Sequence, residues 1–236
     1  MTYYELHDIW YQDLIDKGYV SWDRDKDLNR INDQSIAKSI KYFIEKYDIN
    51  CKDSSSLDLG CGTGNVALIL DDLGFSSSGI DISKVAIVQA NKNSEKLSKN
   101  IKFETRDLLK DLVTSKYDFV SDSSCLHCIV FDNERSNFYK YVRESLKCNN
   151  SYFFLHTMIQ SDDMTDMTDK PYIVLEDSYL WSTGKSEWNI KWYDIQGQKV
   201  FPHRRILSKE ELISEISCHG FNIVESKVNE IERSAD

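Results

Sequence analysis

What this sequence lacks narrows its possibilities first. Its 236 residues include only two prolines, which argues against long disordered linkers, and no internal repeat. No apolar run approaches the length that spans a bilayer. The opening MTYYELHDIW has no basic start ahead of an apolar core, so no secretory signal is expected. Basic residues are in deficit: 29 Lys and Arg against 39 Asp and Glu leave a net charge of −10. That total works against nucleic acid or an anionic membrane as partner. The expectation is a cytoplasmic protein, monomer or homodimer, acting on a neutral or cationic small molecule.

Cysteine spacing is equally spare. Six cysteines, at 51, 61, 125, 128, 148 and 218, form no regular framework, so reduced and mostly buried thiols are expected. Cys125 and Cys128 make a C-x-x-C, but no second pair or suitably spaced histidines accompany it, and no metal is expected.

What is present is an alternation. Short β-like runs are SLDL (56–59), SSGIDI (77–82), IKFET (101–105), YDFVSD (117–122) and SYFFLHTM (151–158). Helical patterns separate them: 65–73 closed by Gly74, 83–97 opened by Ser83, and 132–146. An amphipathic helix over 33–47 precedes them, and a capping box at Ser208 and Glu211 opens a last helix that Gly220 ends. FNIVESKV then reads as a further strand. The fold class is α/β: a Rossmann-like, doubly wound, mostly parallel sheet flanked by helices. Between Ile159 and Phe201 the rhythm breaks, and WNIKWYDIQGQKVF reads as a hairpin turning near Gly197. So long a connection is expected to be an inserted cap between the fifth and sixth strands. The expected layout is one domain: cover segment 1–32, cofactor core 33–158, cap 159–205, and C-terminal helix and strand 206–236.

The most informative stretch is LDLGCGTGNVAL, Leu57 to Leu68. In an open parallel sheet, ligands bind beyond the carboxyl ends of the strands, at the switch in strand order. Glycines there permit positive φ and bare backbone contact, and the next helix offers its N-terminal amides to an anionic group. Gly60, Gly62 and Gly64 give G-x-G-x-G, not the G-x-G-x-x-G of a dinucleotide site, and no Gly-Lys-Ser/Thr of a phosphate loop follows. Asp58 would repel a pyrophosphate but favour an ammonium. Asp81, about 20 positions past the loop, is where a ribose diol is held. Asp107, ending the third strand in ETRDLL, suits an adenine amino group, with Ile82 and Leu108 sandwiching the base. Gly60, Cys61, Gly62, Asn65 and Ser123 complete the expected contact set. Ammonium, ribose and adenine in order spell S-adenosyl-L-methionine.

LDLGCGTGNVAL, GIDIS, RDLL and YDFVSDSSCLHCI resemble the successive motifs of class I S-adenosylmethionine-dependent methyltransferases, from about Ser35 to Val228. WYQDLIDKGYVSWD and SSCLHCIVFDNERSNFYKYVRESLK are similar to the thiopurine methyltransferase-like branch, which acts on small molecules. That resemblance implies an N-terminal segment closing over the cofactor, with Trp22 as a cover residue. Two departures stand out: LKCNN replaces the usual Leu-Lys-Pro-Gly-Gly, with Asn149 and Asn150 at the turn, and NEIERSAD leaves little chain for a seventh strand.

Methyl transfer from a sulfonium is an in-line displacement that depends mainly on alignment, and a neutral acceptor gains from a nearby base. His127 is the expected catalytic base, with a structural histidine as the alternative. His203, beside Arg204 and Arg205, is a second possibility for contact with an anionic substrate, against a solvated basic face. Tyr172, Tyr179, Trp181, Trp188, Trp192, Tyr193 and Phe201 divide between cap packing and an acceptor pocket. Asp162 to Asp169 reads as a solvated loop. The rival functions are a nicotinamide-dependent oxidoreductase, a non-catalytic S-adenosylmethionine-binding regulator and, third, a nucleic-acid methyltransferase.

Overall fold

The computed structural model describes residues 1–148, 150–160, 173–176, 178–195 and 197–229. The expectations for Asn149, the Asp162–Asp169 loop, Tyr172 and the final residues from 230 lie outside it. Five parallel strands form the main sheet: β1 (Ser55–Leu59), β2 (Ser76–Asp81), β3 (Lys102–Thr105), β4 (Phe119–Ser123) and β5 (Tyr152–His156). Their order is β3-β2-β1-β4-β5, so chain direction across the sheet reverses at β1. Its two neighbours pair in parallel, Asp58 opposite Gly79 on one side and Ser121 on the other.

Period-two alternation sends successive strand residues to opposite faces, and each face is covered by helices. α2 (Ser35–Lys46), α3 (Asn65–Asp72) and α4 (Lys84–Lys96) cover one face, burying Ile40, Phe43, Leu68, Ala90 and Phe119 together. α5 (Asp132–Ser145) and α6 (Lys209–Cys218) cover the other with Phe138, Tyr139, Val142, Leu212 and Ile216 against Leu57, Leu59 and Val120. Each such side chain contributes roughly 1.5–3 kcal/mol on burial, which fixes the register of the strands. Local signals agree: the Ser83 hydroxyl caps α4 at the Ala86 amide, and the Ser208–Glu211 capping box opens α6.

A second, four-stranded antiparallel sheet lies outside this sandwich, in the order β6 (Ile173–Glu176), β7 (Tyr179–Ser182), β9 (Gln198–Arg205), β8 (Tyr193–Ile195). β8 and β9 form the hairpin at Gly197. β9 carries a bulge: Leu180 pairs with Arg204 and Trp181 with Pro202, leaving His203 as the extra residue. Trp181 and Phe201 are buried, Trp188 and Trp192 pack beside Phe201, and Tyr179 stacks under Arg205.

One expected strand is not formed. FNIVESKV keeps an alternating burial pattern from Phe221 to Glu225 but joins no ladder. It is held by side chains instead: Phe221 packs on Phe153, the Tyr47 hydroxyl donates to the Val224 carbonyl, and Lys46 pairs with Glu225. Its alternation reflects that anchoring on β5 and α2, and period-two burial alone does not distinguish it from a paired strand.

Candidate active site

The loop after β1 crosses the carboxyl edge of the sheet with Gly60, Gly62 and Gly64 at φ +62°, +53° and +93°. A side chain at any of them would meet the protein itself. A Cβ on Gly60 would lie 2.5 Å from Cys125 Cβ, one on Gly64 2.8 Å from Phe103 Cζ, and one on Gly62 would collide with the Tyr11 hydroxyl. The bare backbone expected to face a ligand is thus partly used for packing. Gly62→Ala should cost about 2–4 kcal/mol, left-handed strain plus overpacking. Gly18→Ala is the control: its φ is +80° but nothing lies within 4 Å, so only the strain of about 1–2 kcal/mol applies. Urea denaturation of both variants checks the difference.

Asp81 ends β2 and braces that loop. One carboxylate oxygen accepts from the Gly62 amide and the other from the Ser83 amide, both at 2.8 Å. Burial pushes its pKa up to about 6 despite these donors. Asp58 is buried beside the Ser121 hydroxyl at 2.9 Å, and burial raises its pKa well above the ordinary carboxylate range. Asn65, opening α3, has a buried side-chain oxygen with no partner among the described residues. Cys61 is buried within the loop, and Ser123 at the end of β4 lies 3.4 Å from His156 Nδ1.

Asp107 is otherwise engaged than expected. It lies two residues past β3, accepting from the Leu109 amide at 2.9 Å, the Lys110 ammonium at 2.7 Å and the Tyr4 hydroxyl at 3.4 Å. Leu108 is buried in the core under α5, while Ile82 and Leu109 pack against the cluster of Tyr3, Tyr4 and Leu6.

The N-terminal segment closes over this edge. α1 (His7–Asp16) is pinned because Asp8 accepts from the Ser83 hydroxyl and from the Val85 amide at 3.2 Å. Buried Asn93 ties Val20 to Thr63 of the glycine loop through two 3.0 Å bonds. Tyr11 is buried against Gly62, and Trp22, 40% exposed, sits 5.1 Å from the Tyr11 ring. The family resemblance implies such a cover, but which of its residues reaches the glycines follows only from where α1 docks.

His127 lies in a 3-10 turn, Leu126–Cys128, following β4. Asp122 forms that turn by accepting from the Cys125 and Leu126 amides, both at 2.9 Å, and its pKa is pushed up to about 7 by burial. Arg135 of α5 locks it, donating to the Leu126 and Ile129 carbonyls at 2.9 and 3.0 Å. The Met158 amide donates to His127 Nδ1 at 3.4 Å, beside the Thr157 hydroxyl at 3.1 Å. An amide can only donate, so Nδ1 is the acceptor and the neutral ring carries its proton on Nε2. Burial, with Arg204 next, lowers the His127 pKa well below its ordinary value. An Nδ1 that accepts leaves Nε2–H as a hydrogen-bond donor, and the lowered basicity weakens the general-base expectation.

Among the described residues, no helix is long and apolar enough to cross a membrane. A methyltransferase domain profile matches residues 50–171. The chain is 29% identical over 131 residues to the release factor glutamine methyltransferase of Bacillus subtilis (strain 168), covering 44% of this chain and 46% of that one. It spans about half the length of the curated relatives it matches. Its fold resembles that of magnesium protoporphyrin IX methyltransferase from Synechocystis PCC 6803, with TM-score 0.62 and 18% identity over 97% of this chain and 91% of that one. It also resembles a SAM-dependent methyltransferase from Methanosarcina mazei, with TM-score 0.63 and 22% identity over 81% and 90%. With the profile spanning more than half of its length, from the approach to β1 through β5, this chain belongs to the methyltransferase domain family.

Proposed function

We propose that the protein binds S-adenosyl-L-methionine and transfers its methyl group to a small-molecule acceptor. The observation that carries this reading is Asp81, a buried carboxylate at the end of β2 braced on the glycine loop. It retains lone pairs for the two hydroxyls of a ribose. The unpartnered Asn65 oxygen is a second polar atom that fits a cofactor at this edge. The proposed contact set is Asp58, Gly60, Cys61, Gly62, Ile82 and Ser123, with Tyr11 and Trp22 as cover. When bound, the cofactor supplies a methyl group on a sulfonium whose departure needs no acid.

The residues of the chain then have three tasks. The cover from α1 to Trp22 excludes water, which strengthens every electrostatic contact inside. The 3-10 turn presents the His127 Nε2–H, which orients the acceptor by donating to it. Arg135 and Asp122 keep that donor in place. The net charge of −10 and the roofed site support a small acceptor over nucleic acid, with the protein working as one domain, monomeric or a homodimer.

Calorimetric titration with S-adenosylmethionine, with NAD as control, tests the cofactor. Micromolar binding of the first alone supports the reading; binding of NAD alone overturns it in favour of an oxidoreductase. Once an acceptor is found, His127→Ala should lower kcat/KM by about tenfold at every pH, the worth of one neutral hydrogen bond. Loss of a pH-dependent limb with the histidine would restore the base.

A further inference from the structure

His7 and His203 both pack edge-on against Trp10, β9 meets the 3-10 turn that carries His127, and His156 ends β5, while His219 contacts Ser136 of α5 instead. Their scaffolds are separate. His7 comes from α1, its Nδ1 donating to the Tyr4 carbonyl at 2.8 Å. His127 comes from the 3-10 turn and His156 from the end of β5. His203 is the extra residue of the β9 bulge. Trp10 joins the group, with its ring centroid 4.8 Å from His7 and 5.9 Å from His203, and Trp22 stands 5.9 Å from His7.

Burial, with Arg204 next, lowers the pKa values of His7, His127 and His203, so all three are neutral near pH 7. One permanent charge, Arg204, adjoins His203 in the bulge. Its neighbour Arg205 is occupied, stacked 3.9 Å over Tyr179 and 3.9 Å from Asp132. Arg204 donates only to the His203 carbonyl, at 2.8 Å, and no carboxylate among the described residues lies within ion-pair distance. His203 Nδ1 is buried without a partner. In a bulge, two residues oppose one and a side chain is re-aimed. That accounts for His203 reaching Trp10 of α1, while Arg204 beside it turns back to the His203 carbonyl.

We propose that the methyl acceptor carries an anionic oxygen group, a carboxylate or phosphate, and that Arg204 is its counter-ion in a pocket walled by His7, Trp10, His127 and His203. This deepens the methyltransferase reading and rests on it. A half-buried guanidinium among uncharged rings is a site where an anion gains a full charge-assisted contact, while an ammonium meets repulsion. The acidic total of the chain points to neutral or cationic ligands, but exposed charges beyond about 8 Å are screened at physiological salt. At this pocket the nearest charge decides.

The test compares benzoate with its uncharged isostere benzamide, and inorganic phosphate as a second anion, titrated calorimetrically into the full chain saturated with S-adenosylhomocysteine. Benzoate should bind about tenfold or more tighter than benzamide, and Arg204→Gln should bring the two to parity. Equal affinities in the wild type, or a preference that survives Arg204→Gln, overturn the proposal. So does failure of both anions to bind at millimolar concentration. Direct titration with S-adenosylhomocysteine separates the readings. Arg204→Gln should leave that affinity within about threefold, since the residue lies on the acceptor side. If the wild type does not bind it, the cofactor reading fails, and the anion titrations on the ligand-free chain still score Arg204.

Discussion

Asp81→Ala should abolish measurable cofactor binding, raising the Kd by about 100-fold or more. A hydrogen bond to a charged group is worth roughly 1.5–3 kcal/mol, and this carboxylate makes several at once. It holds the Gly62 and Ser83 amides and offers its remaining lone pairs to the ligand. Calorimetry should therefore show lost affinity together with a loosened loop. The pH dependence has a definite sign. Ligand hydroxyls favour the ionised carboxylate, whose pKa in the free protein is about 6. Affinity should hold at pH 7–8 and fall below about pH 6, by at most about tenfold per unit. Stability moves the other way: the folded chain holds a proton that the unfolded chain releases between 3.8 and about 6. This group therefore lowers stability as pH rises through that window. Asp81→Asn should flatten both profiles there, although Asp122, with a pKa of about 7, continues to titrate.

Arg135→Met should destabilise the fold by about 3–5 kcal/mol, the cost of leaving a buried charge partner and polar groups unpaired. The side chain is 3% exposed. Its Nε and Nη2 meet Glu215 of α6 at 2.9 Å, and its Nη1 serves two carbonyls of the turn that carries His127. Urea unfolding measures the loss. Adding Glu215→Leu should recover only part of it, because an apolar pair satisfies each other but not the Leu126 and Ile129 carbonyls. Full recovery would show that the carbonyl contacts contribute nothing.

Much of this molecule was written locally. Alternating strands and helices, the Ser83 and Ser208 caps, the left-handed glycines and the turn at Gly197 each depend on residues within a few positions of one another. Their short-range sterics and hydrogen bonds are expressed whatever the chain packs against. The α/β class and the placing of Asp58, Asp81 and the glycine loop at the sheet edge follow from them. Where a reading needed a partner distant in sequence, it went astray or stopped short. FNIVESKV alternates without pairing because alternation records burial, not a ladder. Asp107 meets Tyr4 as well as its local partners Leu109 and Lys110, and nothing nearby in the chain announces Tyr4. His127 was read as a base, because its tautomer is set by an amide 31 residues on.

The sequence by itself determined the elements, their order and the loop that marks the ligand edge, all consequences of local conformational preference and apolar period. Only the tertiary structure decided that Tyr11 closes on Gly62, that the Met158 amide meets His127, and that a bulge sets His203 against Trp10 of α1. Those facts depend on how distant surfaces dock and on the burial that follows, and no local pattern encodes either.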